Sequence, residues 1–158
     1  MVCAGRSDGE AVTGAPVVDS HEPIRIAAAV VVASDGRTLL VRKRGSAFFI
    51  QPGGKLEPGE TAEQALAREL REELGYALLK AEFVGNFSAL AANEHGRRVE
   101  AALFDVEVAG ELSLGAEIEE AVWIDPRDAK SRGDIQLAVL TRDQILPLIC
   151  LRLNSRAC

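Results

Sequence analysis

Apolar and polar positions divide this chain into short segments of two kinds. Ile24 to Ala33 is almost unbroken in its apolar character, closed by Pro23 before it and Ser34-Asp35-Gly36 after it. That pattern predicts a strand buried on both faces. Arg37 to Lys43 follows as its expected hairpin partner, and Ala47 to Ile50 as a brief extended piece. Gln51 to Gly59 (QPGGKLEPG) reads as a loop, because glycine and proline punctuate it so densely. Thr61 to Leu74 carries the clearest helical period. Thr61 and Gln64 form a T-x-x-Q capping box, and Gly75 stands where a left-handed residue ends a helix. Leu79 to Leu90 and Arg98 to Val108 predict a long antiparallel pair across the turn Asn93-Glu94-His95-Gly96. Ala121 to Ile124 is a further short strand, and Asp134 to Ile149 is helical, ended or interrupted near Pro147. Sheet on both sides of one central helix predicts an α+β fold, an α/β/α sandwich.

Composition narrows the class. The 158 residues are 47% hydrophobic and 27% charged, the balance of one globular domain with one core. Residues 1–22 carry Gly5, Gly9, Gly14 and Pro16 without sustained periodicity, the pattern of a flexible N-terminal tail. The domain is expected over residues 23–152, with residues 153–158 as a C-terminal tail. A net charge of −6 disfavours binding to a nucleic acid polymer by phosphate neutralisation. The longest apolar run, Ile26 to Ala33, is too short to span a bilayer, and the first twenty residues hold no apolar leader core. Cys3, Cys150 and Cys158 lack CxxC spacing, which argues against zinc and disulfides. A cytoplasmic protein is the expectation.

The distribution of charge says more than its total. Residues 1–50 are net +1 and residues 121–158 net +2, whereas residues 51–120 are net −9. Along the predicted helix, Ala62, Leu66, Ala67, Leu70 and Leu74 form an apolar stripe that must face a sheet. Glu69, Glu72 and Glu73 border that stripe instead of lying opposite it, with Arg68 one turn before Glu72. Like charges so spaced cost about 0.2–0.5 kcal/mol per pair on an isolated helix, and more when partly buried. A divalent cation reverses that sign. Mg²⁺ takes oxygen ligands, one or two carboxylates together with waters and substrate phosphates. The chemistry that follows is metal-assisted attack of water on a phosphoanhydride.

Gly54 to Tyr76, GKLEPGETAEQALARELREELGY, carries the pattern G-x5-E-x7-R-E-U-x-E-E-x-G-U, where U is a bulky apolar residue. It resembles the Nudix box, the signature of hydrolases acting on a nucleoside diphosphate linked to another moiety. Gly54, Glu60, Arg68, Glu69, Leu70, Glu72, Glu73 and Gly75 all fit, and Tyr76 departs mildly at a site that is usually aliphatic. The resemblance implies a Nudix-type sandwich with a mixed central sheet and a loop-helix-loop. It implies Mg²⁺ as cofactor, with Mn²⁺ able to substitute. Glu72 and Glu73 match the principal metal ligands, and Glu69 a further ligand or the general base. The carbonyl of Gly53 matches an extra ligand, Arg68 the residue that orients the glutamates, and Glu60 a supporting acid. The family often adds a later acid, here within Glu117-Ile118-Glu119-Glu120, with Glu120 narrowly preferred over Glu117.

Substrate contacts are less sharply marked. Strand alternation puts Arg42 and Arg44 on one face, where they can meet phosphates or simply face solvent. Phe49 and Phe87 are candidates to stack on a base, with Phe48 beside them, although most aromatic residues in so aromatic-poor a chain belong to the core. Asn86 and Asn93 are turn residues by default, His95 a solvated turn residue and Trp123 a core residue. Markers of the ADP-ribose, dinucleoside polyphosphate and NADH subgroups are missing downstream of the box. The chain therefore looks most like the MutT-like group, which converts ordinary or oxidised nucleoside triphosphates to monophosphate and pyrophosphate. ADP-ribose or nucleotide-sugar cleavage, a non-catalytic nucleotide sensor and an isomerase on the same scaffold are the alternatives. The expected partner is a nucleotide substrate, and the expected state a monomer or homodimer.

Overall fold

The computed structural model describes residues 22–129 and 132–156. Residues 1–21 of the expected N-terminal tail lie outside the described residues, as do Cys3 and Cys158. Strand β1 (Ile24–Val30) is central in the first sheet, between β4 (Gly53–Lys55) and β6 (Arg98–Ala109), with β5 (Ala77–Leu90) at the edge beyond β6. It runs antiparallel to β4 and parallel to β6. The second sheet has the order β7-β2-β3-β8, from β2 (Thr38–Lys43), β3 (Phe48–Ile50), β7 (Ile118–Ile124) and β8 (Gln136–Leu137). Each sheet mixes one parallel pairing with antiparallel ones, so the expected mixed sheet is present and is divided in two.

The alternation of side chains along β1 divides the interior in two. Ala27, Ala29 and Val31 pack with helix α1 (Ala62–Leu74), whereas Ala28 and Val30 pack with α2 (Leu146–Arg156) and the π-helical turn before it. Each helix therefore covers both sheets from its own side, in an α/β/α sandwich. The alanines of β1 leave room for this double packing, and the strand is buried on both faces from Ala27 onward.

The structure corrects five expectations. Arg37 to Lys43 is not the ladder partner of β1. The Ser34–Gly36 turn forms, with the Gly36 N–H donating to Ala33 O at 2.9 Å, but a single bridge, Val32 to Thr38, follows it. Both edges of β1 are already taken by β4 and β6, so β2 passes to the other sheet. The glycine-rich loop contains a strand, β4, because Gly53 lies so close to β1 that a Cβ there would stand 2.0 Å from Ala27 O.

At the C-terminal end, Gln136 and Leu137 form β8, parallel to Phe48 and Phe49, and are not helical. Pro147 does not stop the helix that follows. A π turn at Thr141–Ile145 precedes it, with the Leu146 N–H donating to Thr141 O, and Pro147 falls in the first turn of α2, where an N–H is dispensable. The helix then runs to Arg156, so residues 153–156 are not a tail, and Leu153 packs on the core. No helix among the described residues is long and apolar enough to cross a membrane.

Candidate active site

Helix α1 positions the acidic residues, and its ends are fixed locally. The Gln64 N–H donates to Thr61 Oγ1 at 3.1 Å, and the Thr61 N–H to Gln64 Oε1 at 2.9 Å. Gly75, at φ 73°, closes the C-terminus through its N–H. The buried face comprises Ala65, Leu66, Leu70, Glu73 and Leu74, with Ala67 only half-buried. The stripe is thus rotated toward the glutamates relative to the sequence pattern. Glu73 sits within it, 1% exposed, while Glu69 is half-buried and the side chain of Glu72 is 55% exposed.

Arg68 organises one half of the acidic group. Its Nε and one terminal nitrogen donate to the two oxygens of Glu60, each at 2.8 Å, and its other terminal nitrogen donates to Glu69 Oε1 at 2.7 Å. Glu60 also accepts the Glu57 N–H at 2.9 Å. The guanidinium fork, with that amide, holds the Glu60 carboxyl down at about 2. Arg68 in turn is held firmly in its charged form by Glu60 and Glu69. The Glu69 carboxylate lies against Gly54, where an added Cβ would meet its carboxyl carbon at 2.5 Å. Glycine at position 54 makes the space that this carboxylate occupies.

Glu73 lives in a different environment. Burial pushes its carboxyl up to about 7, against the opposing pull of Lys43 and with a further upward push from Glu69. Its Oε2 lies 3.0 Å from Lys43 Nζ without a hydrogen bond of good geometry, and its Oε1 accepts a long one, 3.4 Å, from the Gly53 N–H. Among the described residues, no three acidic, imidazole or thiol side chains already converge on one point. The donor set still fits a hard divalent cation. It is made of carboxylate oxygens, and the buried one has an oxygen that lacks a hydrogen bond. Glu69, Glu72 and Glu73 are the residues that would hold such an ion, with the Gly53 backbone beside Glu73.

Lys43 and Gly53, which touch Glu73, and Gly54, which touches Glu69, line a cleft of about 270 Å³. Lys55 lies on its lining too, as do Gln51, Leu140, Thr141 and Ile145. A family sequence model described as "NUDIX domain" matches residues 23–145, most of the chain. The chain belongs to the Nudix family. It is 34% identical over 108 residues to an 8-oxo-dGTP diphosphatase of Haemophilus influenzae, covering 65% of this chain and 76% of that protein. It is 30% identical over 98 residues to an ADP-ribose pyrophosphatase of Methanocaldococcus jannaschii, covering 60% of this chain. The chain spans only 58% of the length of that relative. The crystal structure of a MutT NUDIX hydrolase from Burkholderia pseudomallei superposes with a TM-score of 0.65 at 26% identity, over 77% of this chain and 95% of that one. Nudix hydrolases generally use divalent metal ions.

Within this Nudix domain, the expected substrate residues are not the ones that line the cleft. Arg42 donates to Ser46 O at 3.0 Å, pairs with Glu120 at 3.2 Å and stands 5.9 Å from the centre of the Phe49 ring. Glu120 is the register partner of Arg42, on the β7 face that carries Val122 toward the α2-side core, and not with the glutamates of α1. Phe49 is a core residue, 4% exposed, with no face open to a base. Phe87 is half-buried and lies along a separate shallow groove with Arg25 and Glu100. Arg44 is tied to the loop before β7, donating to Ala116 O at 2.6 Å and pairing with Glu119.

Sequence reading missed Lys43. It follows Leu39 and Val41 on the α1-facing side of β2, a signal hidden because Leu40 is equally apolar. The Nudix-box helix also has a neighbour that motif reading did not show. The Gly115 N–H donates to Glu73 O at 2.8 Å and the Ser113 N–H to Leu74 O at 2.9 Å, so the loop before β7 is pinned to the end of α1. Gly115 is required there, since a Cβ would stand 2.1 Å from Glu72 O. Glu117 follows this anchored segment and is exposed.

Proposed function

We propose that this chain is a Mg²⁺-dependent pyrophosphohydrolase that converts a nucleoside triphosphate, ordinary or oxidised, to the monophosphate and pyrophosphate. The observation that carries the reading is Glu73, a buried carboxylate 3.0 Å from Lys43, a residue that lines a cleft large enough for part of a nucleotide. Glu72 and Glu73, with the Gly53 carbonyl, would hold the cation. Bound there, it would withdraw charge from the phosphoryl oxygens and acidify a coordinated water. Arg68 fixes Glu69 through Oε1 and leaves Oε2 to a cation or a water. Lys43 is one-third exposed and long enough to move from Glu73 to a substrate phosphate once a cation takes its place. Lys55, which lines the same cleft and pairs with Glu94 at 2.9 Å, would offer a second phosphate contact on leaving that partner. Glu117, on the loop anchored to α1, is better placed than Glu120 to supply a later acid. The arrangement of Lys43, Glu69, Glu72 and Glu73 does not suit the sensor reading, which requires loss of the box acids. Nor does it suit the isomerase reading, which needs a cysteine at the site, because among the described residues the one cysteine, Cys150, lies in α2, across the sandwich from α1.

The name of the archaeal relative favours ADP-ribose as a second reading. One assay separates the two: incubation with Mg²⁺ and a panel of nucleoside triphosphates, 8-oxo-dGTP and ADP-ribose, with chromatographic identification of products. Pyrophosphate and a monophosphate are expected from a triphosphate, and Glu72→Gln is expected to lower kcat by a hundredfold or more with the fold intact. A Glu72→Gln enzyme that kept most of the wild-type turnover would remove Glu72 from the chemistry.

A further inference from the structure

The lining of the cleft contains a polar group that the hydrolytic chemistry does not use. Gln51 is 4% exposed and lines the cleft together with Thr141, whose residue is 1% exposed. The Thr141 hydroxyl donates to Gln51 Oε1 at 2.9 Å, which fixes the orientation of the amide. Gln51 Nε2 is buried and has no hydrogen-bond partner. A buried amide donor left unsatisfied destabilises the fold, and such groups are rare enough to call for an explanation. Around it the cleft is apolar, lined by Ala28, Ala138, Leu140 and Ile145. Water is therefore a poor competitor for whatever reaches the amide. Thr141 opens the π-helical turn, an irregularity that often marks functional positions.

We propose that Gln51 is a specificity residue: its Nε2 donates to a ring carbonyl oxygen of the nucleobase, so that the cleft selects keto bases over adenine. The inference rests on the nucleotide reading above and names the substrate class within it. A nucleotide whose phosphates meet Lys43 and Lys55 would extend its base along the cleft that Gln51 also lines. Guanine and hypoxanthine present a carbonyl at the 6 position, and uracil and thymine present carbonyls on their rings. Adenine presents an amino group at that position, and two donors facing each other in an apolar site repel. Thr141 is a positioning residue, since its hydroxyl keeps the oxygen of the amide turned away from the base.

The cleanest substrate pair is ITP and ATP, whose bases differ only at the 6 position and the adjacent ring nitrogen. The wild-type protein is expected to favour ITP by about tenfold or more in kcat/KM. Gln51→Leu should bring the two within about threefold, and Gln51→Glu, whose side chain accepts where the amide donates, should move the ratio toward ATP. Thr141→Val, close in volume to the native residue, should weaken the preference severalfold by freeing the amide to turn, and it covers the case in which position 51 variants fail to fold. Calorimetric binding of IMP and AMP reads the cleft without turnover. A preference for IMP in a protein that hydrolyses no nucleotide would sustain Gln51 as the reader while the hydrolase reading fell. Equal handling of ITP and ATP, a preference for ATP, or no binding of either monophosphate would overturn the inference.

Discussion

Two carboxylates near one helix, Glu60 and Glu73, meet opposite fates. Glu60 stands before α1 in the fork of Arg68, and its carboxyl is held down at about 2. Glu73 lies in the buried face of α1 with an ammonium 3.0 Å away, and its carboxyl is pushed up to about 7. Both have a cation beside them. Partner geometry and burial make the difference. A guanidinium satisfies both oxygens of Glu60 along a planar fork, whereas one ammonium cannot restore the hydration that Glu73 loses inside the sandwich. Glu60 is a fixed anchor, and Glu73 is a site short of positive charge.

The contrast can be broken first at Arg68. Arg68→Ala should lower kcat/KM by roughly tenfold to a hundredfold, because Glu69 loses the group that orients it. Arg68→Lys, which keeps the charge without the fork, should recover little of this. Full recovery by lysine would show that charge and not geometry sets the position of Glu69.

Next comes Glu73, where the contrast sharpens into a pH dependence. Its folded value lies above the ordinary 4.5, so the folded state binds the proton more tightly than the unfolded chain. Its contribution to stability is therefore complete below about pH 4.5 and is lost as pH rises toward 7. In metal-free buffer, Glu73→Gln should be more stable than the wild type at pH 8 by about 1–3 kcal/mol, with the difference much smaller at pH 4.5. Urea unfolding of both proteins at the two pH values measures this. A difference that did not change with pH would mean that Glu73 is ionised without cost.

The smallest effect belongs to the helix end. Thr61→Ala removes the side-chain half of the capping box and should cost about 1 kcal/mol of stability, with kcat unaltered. A fall in kcat would make the start of α1 part of the catalytic geometry and not only its support.

Much of this was legible in the primary structure because the controlling interactions are local. The capping box and Gly75 sit within a turn of the helix they bound, and the spacing of Glu69, Glu72 and Glu73 follows from helical period alone. The long β5–β6 pair was equally readable, since its turn lies between its two strands. The lining of the cleft was not. Arg42, Phe49 and Glu120 looked available, but the register of β2 with β7 turns Arg42 and Glu120 toward each other, over a Phe49 that belongs to the core. Lys43 and Gln51 were hidden for the same reason. What each faces comes from a segment far along the chain, Glu73 in one case and Thr141 in the other.

By itself, then, the order of residues determined the family and the helix that bears the acids, because spacing on one helix needs no other part of the chain. Only tertiary structure decided which carboxylate is starved of solvent, which cation faces it and which amide waits inside the cleft. Burial and long-range pairing arise when sheets and helices close on one another, and no local pattern records where that closure leaves a side chain.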